Sequence, residues 1–367
     1  PCIRLRKEVF ESETFKTLAD TSLVLLNADF PRKNKNQLPK ELRAKNDALA
    51  EKYNRSGQFP LTLILTADGE VVRSWEGFPK DGLTTFGRGD WVPVKSTSNL
   101  EYTSSVYFYV DADILAKTAR LFHKQTDYLF YSALAEKIRK AINAKFFDSV
   151  KVSYCSGVQT ELSMALQWNV VDERYKLQLA ENLAKRVTAD GMHIDVGVLG
   201  AKAILNALSD NRQAETAYKL ASQDTYPGWG WWIVNGATTL HENWDMQATR
   251  DISDNHMMFG EIGGWFFKGI GGIKIDEKQP GFKNILLKPH FVQGLSHFTA
   301  SHKGPYGTIV SSWKRNGKSI NYDVKIPANS SATLTIDEIE GKKVYLNDKL
   351  VGNNFELAAG KYSFEIK

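Results

Sequence analysis

Glu242 is the residue on which a chemical reading of this sequence turns. It lies within 227–273, a run that holds five of the chain's nine tryptophans, Trp229, Trp231, Trp232, Trp244 and Trp265, together with His241, Asp245, Asp254 and His256. A helix built for a core uses leucine and isoleucine, which pack without a polar atom in need of a partner. Indoles mixed with carboxylates and imidazoles, and parted by glycines, instead suit a pocket that stacks on sugar rings and holds their hydroxyls. A carboxylate in that setting can take a proton from water; the plainer alternative for Glu242 is a solvated acid at a helix start. Three other loops carry residues that packing does not need: Gly89-Asp90-Trp91 ahead of Pro93, the 191–197 connection with His193 and Asp195, and 157–160 at the opening of a helix. Loops borne by a rigid scaffold are where chemistry concentrates. Neither His193 with Asp195 nor His241 with Glu242 follows the His-Glu-x-x-His spacing that sets two metal ligands on one helix face, so no metal and no cofactor are expected.

The elements that must position these loops are mostly helical. From 103 to about 272, amphipathic segments follow one another with short breaks. Residues 104–124 carry Val106, Tyr109, Val110, Ile114, Leu115 and Ala119 on one stripe, and 127–147 repeat the pattern with Leu134, Ile138, Ala141 and Ile142. Further helices are predicted at 159–170, 172–190, 198–208 and 213–222, with an irregular glycine-bearing segment at 255–273. Helices that each expose one apolar stripe need neighbours to cover it, and paired in this number they suggest an α/α toroid. Residues 276–367 read as short alternating strands punctuated by turns such as Arg315-Asn316-Gly317, an antiparallel β-sandwich with no cluster of acids or exposed aromatics, and so a structural cap. The first 80 residues combine a helical pattern at 8–20, an apolar run at 23–29 that reads as a buried strand, a helix at 39–53, a strand at 60–66 and a hairpin into 71–75, an α/β layer arrangement. Phe78-Pro79-Lys80-Asp81-Gly82 reads as the linker. The domains are therefore expected at 1–80, 81–275 and 276–367.

Two resemblances sharpen this. The first unit resembles the thioredoxin-like superfamily through Pro1-Cys2 before a helix, the run 50–54, and Gly57-Gln58-Phe59-Pro60 before a strand. The resemblance implies that Cys2 stands for the second cysteine of a Cys-x-x-Cys pair, with the first cysteine and first strand absent from this chain. A lone thiol at a helix start can be reactive but cannot close that disulfide. The remainder, about 81–367, is similar to the α-L-rhamnosidases of glycoside hydrolase family 78. The matching runs are 89–91, Gln159-Thr160, 193–197, 226–230, 235–244 with its Gly-Ala-Thr-Thr stretch, and 255–260. That resemblance implies a partial (α/α)6 toroid followed by the β-sandwich. It also implies inverting removal of terminal α-L-rhamnose, with Glu242 as general base and Asp90, Trp91, His193, Asp195, Trp229, Trp231, His241, Trp244 and His256 about the sugar. An inverting glycosidase pairs its base with a carboxylic acid about 6.5–9.5 Å away. In the family that acid comes from a segment upstream of the Gly-Asp-Trp loop, where this chain carries its α/β unit instead. Roughly eight helical pieces stand against the twelve of six hairpins.

Composition bounds the rest. With 367 residues, 24% charged and a net charge of +5, the chain has ample material for several cores. Its charge is mildly basic at both ends and mildly acidic between, without the clustered basic face of a nucleic-acid binder. No apolar run approaches the ~20 residues of a membrane helix. The expected partners are a rhamnose-containing oligosaccharide or glycoside, no nucleic acid, no membrane, and a second copy of the chain covering the incomplete ring. A periplasmic or extracytoplasmic location is implied by the family resemblance alone. Two other functional classes stay in view: a rhamnoside-binding protein without catalysis, and a thiol protein acting through Cys2.

Overall fold

The computed structural model describes residues 5–31, 37–55, 57, 60–76, 82–85, 87–337, 339 and 341–367. The chain separates into two compact units, Pro1–Asp81 and Gly82–Lys367. Cys2, Gln58, Phe59 and all of the 78–82 linker but Gly82 lie outside the described residues.

In the first unit, Ser12 stops one helical run and starts the next. Its Oγ accepts from Phe15 N at 3.2 Å and caps α1 (Glu13–Ser22), satisfying a donor the helix cannot pair itself. Helix α2 (Lys40–Tyr53) follows, then the antiparallel hairpin of β1 (Leu61–Leu65) and β2 (Val71–Glu76), whose register runs Leu61 to Glu76. Tyr53 Oη donates to Gly69 O at 2.8 Å and ties the end of α2 to the hairpin turn. The strand expected at 23–29 is not there: Val24 is fully exposed, and Leu25 and Leu26 are exposed with it. An extended segment becomes a strand only when a neighbouring edge pairs its backbone, and the hairpin is the only sheet among the described residues of this unit.

The helical part of the second unit begins with α3 (Leu100–Leu121), capped by Asn99, whose Oδ1 accepts from Tyr102 N at 2.9 Å. It packs along α4 (Gln125–Phe146) through Tyr102, Val106, Tyr109 and Val110 against Ala135, Ile138 and Ile142. After a two-residue ladder of β3 (Phe147–Asp148) and β4 (Ser153–Tyr154) comes α5 (Gln159–Gln167), in which every residue from Gln159 to Leu166 is buried. The segment expected as one helix at 172–190 is a 3-10 turn, Glu173–Tyr175, running into α6 (Lys176–Ala189). Helix α7 (Val198–Asp210) lies against α5, and α8 (Ala214–Ala221) follows it. The two inner helices approach closely at Gly200, where a Cβ would sit 2.3 Å from Thr160 Oγ1. Short helices α9 (Trp229–Val234) and α10 (Glu261–Trp265) complete eight α-helices among the described residues of this part.

The β part starts at Ile273, three residues before the change in sequence pattern. One sheet orders β13 (Asn354–Leu357), β10 (Ser331–Thr335), β6 (Asn284–Leu287) and β5 (Ile273–Ile275). The other orders β12 (Lys349–Val351), β11 (Val344–Leu346), β14 (Gly360–Ile366), β9 (Ser319–Ile326), β8 (Gly307–Asn316) and β7 (His297–Gly304). The sheets meet where Phe355 packs on Phe364, ring centroids 5.0 Å apart. The expectation of purely antiparallel strands fails at one place, because β10 pairs with β6 in parallel, Ala332 opposite Ile285. Alternation of polar and apolar residues fixes which face a strand buries, not which way its neighbour runs.

Candidate functional site

Glu242 is presented by a loop that closes on itself. Its backbone N–H donates to Ser253 O at 2.9 Å, and His256 N donates to Leu240 O at 2.7 Å, so 240–242 run beside 253–256. Thr239 Oγ1 adds a bond to Asp254 O. Beneath the loop lies an aromatic block. Trp232 stacks on Trp244 at 4.9 Å and 18°, Trp229 meets Trp244 edge-on at 5.1 Å, and Phe259 leans on Trp244 at 4.4 Å. Each indole N–H is used: Trp229 Nε1 donates to Phe259 O, Trp232 Nε1 to Trp244 O and Trp244 Nε1 to Val196 O, at 2.7–3.0 Å. Buried indoles find partners this way because an unmade bond in the core is costly.

On this block stands a cleft of about 420 Å³, lined by the 87–91 loop, Thr103, Ser104 and Tyr107 of α3, Val198 and Leu199 at the start of α7, and Glu242, His256 and Met258. Glu242 Oε1 lies 3.5 Å from His256 Nδ1. That ring nitrogen is buried and makes no hydrogen bond within the protein, so the pair is a charge contact only when the imidazole is protonated. Among the described residues Glu242 is the one carboxylate lining the cleft. Trp91 faces it with the Arg88 guanidinium 5.7 Å from the indole centre, an ordinary cation–π distance. Burial, joined by the charges of Asp90, Asp111 and Glu261, pushes the Tyr107 phenol up to about 12. It is therefore a neutral hydroxyl in the cleft at physiological pH.

Asp90 is turned the other way. Its carboxylate accepts from Gly197 N and Leu199 N, both at 2.7 Å, from Gly200 N at 3.2 Å, and from Thr160 Oγ1. The first N–H groups of α7 have no partner within the helix, and a carboxylate there also meets the favourable end of the helix dipole. Burial raises the Asp90 pKa above its ordinary value, and those four hydrogen bonds oppose the rise. Val198 N donates to Trp91 O at 2.9 Å, so the loop is pinned on both sides of the residue that faces the cleft. Gly197 makes this possible, since a Cβ there would lie 2.1 Å from Trp91 O.

Of the residues expected about the sugar, the fold brings Trp91, Glu242 and His256 together on the cleft. The other seven do not line it. Asp90 anchors α7 as above. Asp195 accepts from Lys95 N, Ser96 N and Ser96 Oγ at 2.6–3.1 Å. The His193 ring bridges Gly191 O and Thr225 Oγ1, both at 2.8 Å. His241 is buried beside Trp232 with Nδ1 3.0 Å from Asp254 Oδ1. Trp229 and Trp244 form the floor block, and Trp231 packs edge-on against Tyr226 at 5.1 Å. Spacing marked all of these as polar or aromatic residues on loops but could not tell the cleft side of a loop from its packed side. Arg88, Thr103, Ser104 and Tyr107 were missed for the opposite reason, the last three because a helix stripe of Tyr and Ser reads as ordinary α3 surface. No group of three or more His, Cys, Asp or Glu side chains gathers as metal ligands would among the described residues, and no helix there is long and apolar enough to cross a membrane.

Residues 70–270 match the family model for the bacterial alpha-L-rhamnosidase 6 hairpin glycosidase domain, and 272–350 match that for the bacterial alpha-L-rhamnosidase C-terminal domain. An alpha-L-rhamnosidase of Formosa agariphila is 29% identical over 326 residues, 83% of this chain and 35% of that protein. The structure of alpha-L-rhamnosidase from Dictyoglumus thermophilum superimposes with a TM-score of 0.70 at 30% identity, covering 78% of this chain and 34% of that one. Streptomyces avermitilis alpha-L-rhamnosidase, solved in complex with L-rhamnose, shares the fold with a TM-score of 0.69 at 24% identity over 79% of this chain and 29% of its own. The chain thus spans about a third of the length of these relatives. A shorter stretch of 71 residues is 35% identical to the disulfide bond reductase DsbH of Chlamydia pneumoniae, 19% of this chain and 41% of that protein.

Proposed function

The chain belongs to the bacterial alpha-L-rhamnosidase six-hairpin glycosidase family, and on that premise we propose that its cleft receives a terminal α-L-rhamnosyl residue, with Glu242 drawing a proton from the attacking water. The observation that carries this reading is the grouping of Glu242, His256 and Trp91 on one cleft, above a floor that packing holds rigid. A base must reach a water on the far side of the sugar from the leaving group, and a pair of carboxyl groups serves the two faces in inverting enzymes. Among the described residues one carboxylate lines the cleft, and Tyr107, pushed up to about 12, is too weak an acid to protonate a departing sugar oxygen at neutral pH. Hydrolysis by this chain is therefore expected only where the leaving group departs as an anion without help.

The test is a series of aryl α-L-rhamnosides of graded leaving-group pKa. Dinitrophenyl and nitrophenyl members turn over, methyl rhamnoside does not, and the first-formed sugar seen by NMR is the inverted anomer. Equal rates across the series would show that an acid is at work and overturn the assignment. The same single carboxylate also supports a second reading, binding of rhamnosides without turnover, for which saturable binding with no hydrolysis of even the dinitrophenyl member is the signature. A second copy of the chain remains the proposed cover for the exposed Ile114, Leu115, Phe122, Leu129 and Phe130 of the α3–α4 hairpin. A monomer by light scattering at working concentration excludes it. A thiol function through Cys2 would require that Cys2→Ser, and not Glu242→Gln, abolish activity.

A further inference from the structure

Arg88 lines the cleft beside Trp91, yet it has no ion-pair partner among the described residues. Other cations of the same unit are held in ion pairs, among them Lys117 with Glu277, Arg139 with Asp172 and Arg186 with Asp190. The local backbone accounts for the side on which Arg88 is left. Gly89 adopts a left-handed φ of +74°, which lets Asp90 turn inward to α7 while Arg88 stays at the cleft. Its guanidinium lies 5.7 Å from the Trp91 indole centre, so the side chain is supported rather than free to sweep the solvent. The cleft's own carboxylate is already beside His256. What remains is a planar fork of five N–H donors on the wall of a sugar cleft, and such a fork matches a carboxylate or sulfate in two-point contact far better than it matches neutral hydroxyls.

We infer that the sugar following the rhamnosyl residue carries an anion, a uronate carboxylate or a sulfate ester, and that Arg88 is the residue that selects it. This rests on the reading of the cleft as a rhamnoside site and adds the charge of the neighbouring sugar to it. The opposing view is that Arg88 only packs on Trp91.

The test is calorimetric titration of the full chain with L-rhamnose, α-L-rhamnosyl-glucose, α-L-rhamnosyl-glucuronic acid and a rhamnosyl-glucose sulfate. An acidic disaccharide is expected to bind about fivefold or more tighter than the neutral one at low salt, with the advantage shrinking near about 0.5 M salt, where charge contacts at a surface are screened. In Arg88→Gln, checked by circular dichroism, the ratio falls to about one, and in Arg88→Lys, which keeps the charge without the fork, it is reduced but survives. The uronate and sulfate arms tell which anion is taken. Binding of L-rhamnose and of both disaccharides with equal affinity leaves the rhamnoside reading standing and overturns the inference, as does an acidic preference that persists in Arg88→Gln. Failure of all four probes to bind overturns both.

Discussion

Glu242 Oε1 and His256 Nδ1 stand 3.5 Å apart across a loop whose two legs are tied by backbone hydrogen bonds at Glu242–Ser253 and Leu240–His256. Residues fourteen apart in sequence are thus held side by side chiefly by main-chain geometry, and the side-chain link that Glu242 itself makes to the other leg, Ser253 N donating to Glu242 Oε2 at 3.4 Å, is one that a glutamine oxygen can also accept. Glu242→Gln is accordingly expected to fold normally and to lose about 10²–10⁴-fold in turnover of an activated aryl rhamnoside, the usual worth of a positioned general base. Steady-state kinetics with a melting curve on the same sample check it. A Glu242→Gln protein as active as the parent would remove the base from the proposal.

The Asp90 carboxylate accepts four hydrogen bonds, and an amide in its place has one acceptor oxygen and an NH₂ that would face the N–H groups of α7. Asp90→Asn should cost about 1–3 kcal/mol of stability through donors left unpaired in the interior. It should also weaken sugar binding, because Trp91 and Arg88 ride on the same loop. Urea unfolding and titration with L-rhamnose, run on one preparation, report the two effects.

Tyr107 gives a prediction in pH. Its phenol is raised from the ordinary 10.0 to about 12, chiefly by burial. A raised value means that the folded chain keeps the proton longer than the unfolded chain does. The associated stability is therefore complete below pH 10 and is lost as the pH climbs from 10 toward 12. The difference in ultraviolet absorbance between the parent and Tyr107→Phe should show one phenol titrating late, and the stability of Tyr107→Phe should fall less steeply over that interval.

Trp244 joins the floor block to the 191–197 connection through its bond to Val196 O at 2.7 Å. Trp244→Ala empties a fully buried position and should cost about 3–5 kcal/mol. Trp244→Phe keeps most of the volume, loses the bond, and should cost less. Loss of rhamnose binding in the alanine variant alone would tie the floor to the site through packing.

Glu242 was singled out as an acid among indoles in one glycine-broken stretch and Trp91 as an aromatic on the Gly89-Asp90-Trp91 loop, and the fold sets both on the same cleft. The helices were legible wherever one apolar stripe faced a neighbour, as at Val106, Tyr109 and Val110. Leu23 to Leu26 misled because a strand's hydrogen bonds come from another segment, and a run of leucines records only the apolar half of the requirement. Asp90 and Asp195 misled because an acid on a loop is equally suited to a sugar hydroxyl and to a row of backbone N–H groups. Which one it meets is decided by residues a hundred positions away.

Strand β5 leaves the helical part only three residues after Ile270, yet it is hydrogen-bonded into the sandwich through β6. On either side of that join, Ser311 Oγ donates to Gly271 O at 2.6 Å, and His290 N donates to Ile270 O at 3.3 Å. Trimming the gene at this point, as the meeting of the two family models at 270 and 272 invites, would strip these carbonyls of their partners and bare Ile270 to water. Neither product should express as a soluble domain, and heating the intact 82–367 region should give a single calorimetric peak in place of two.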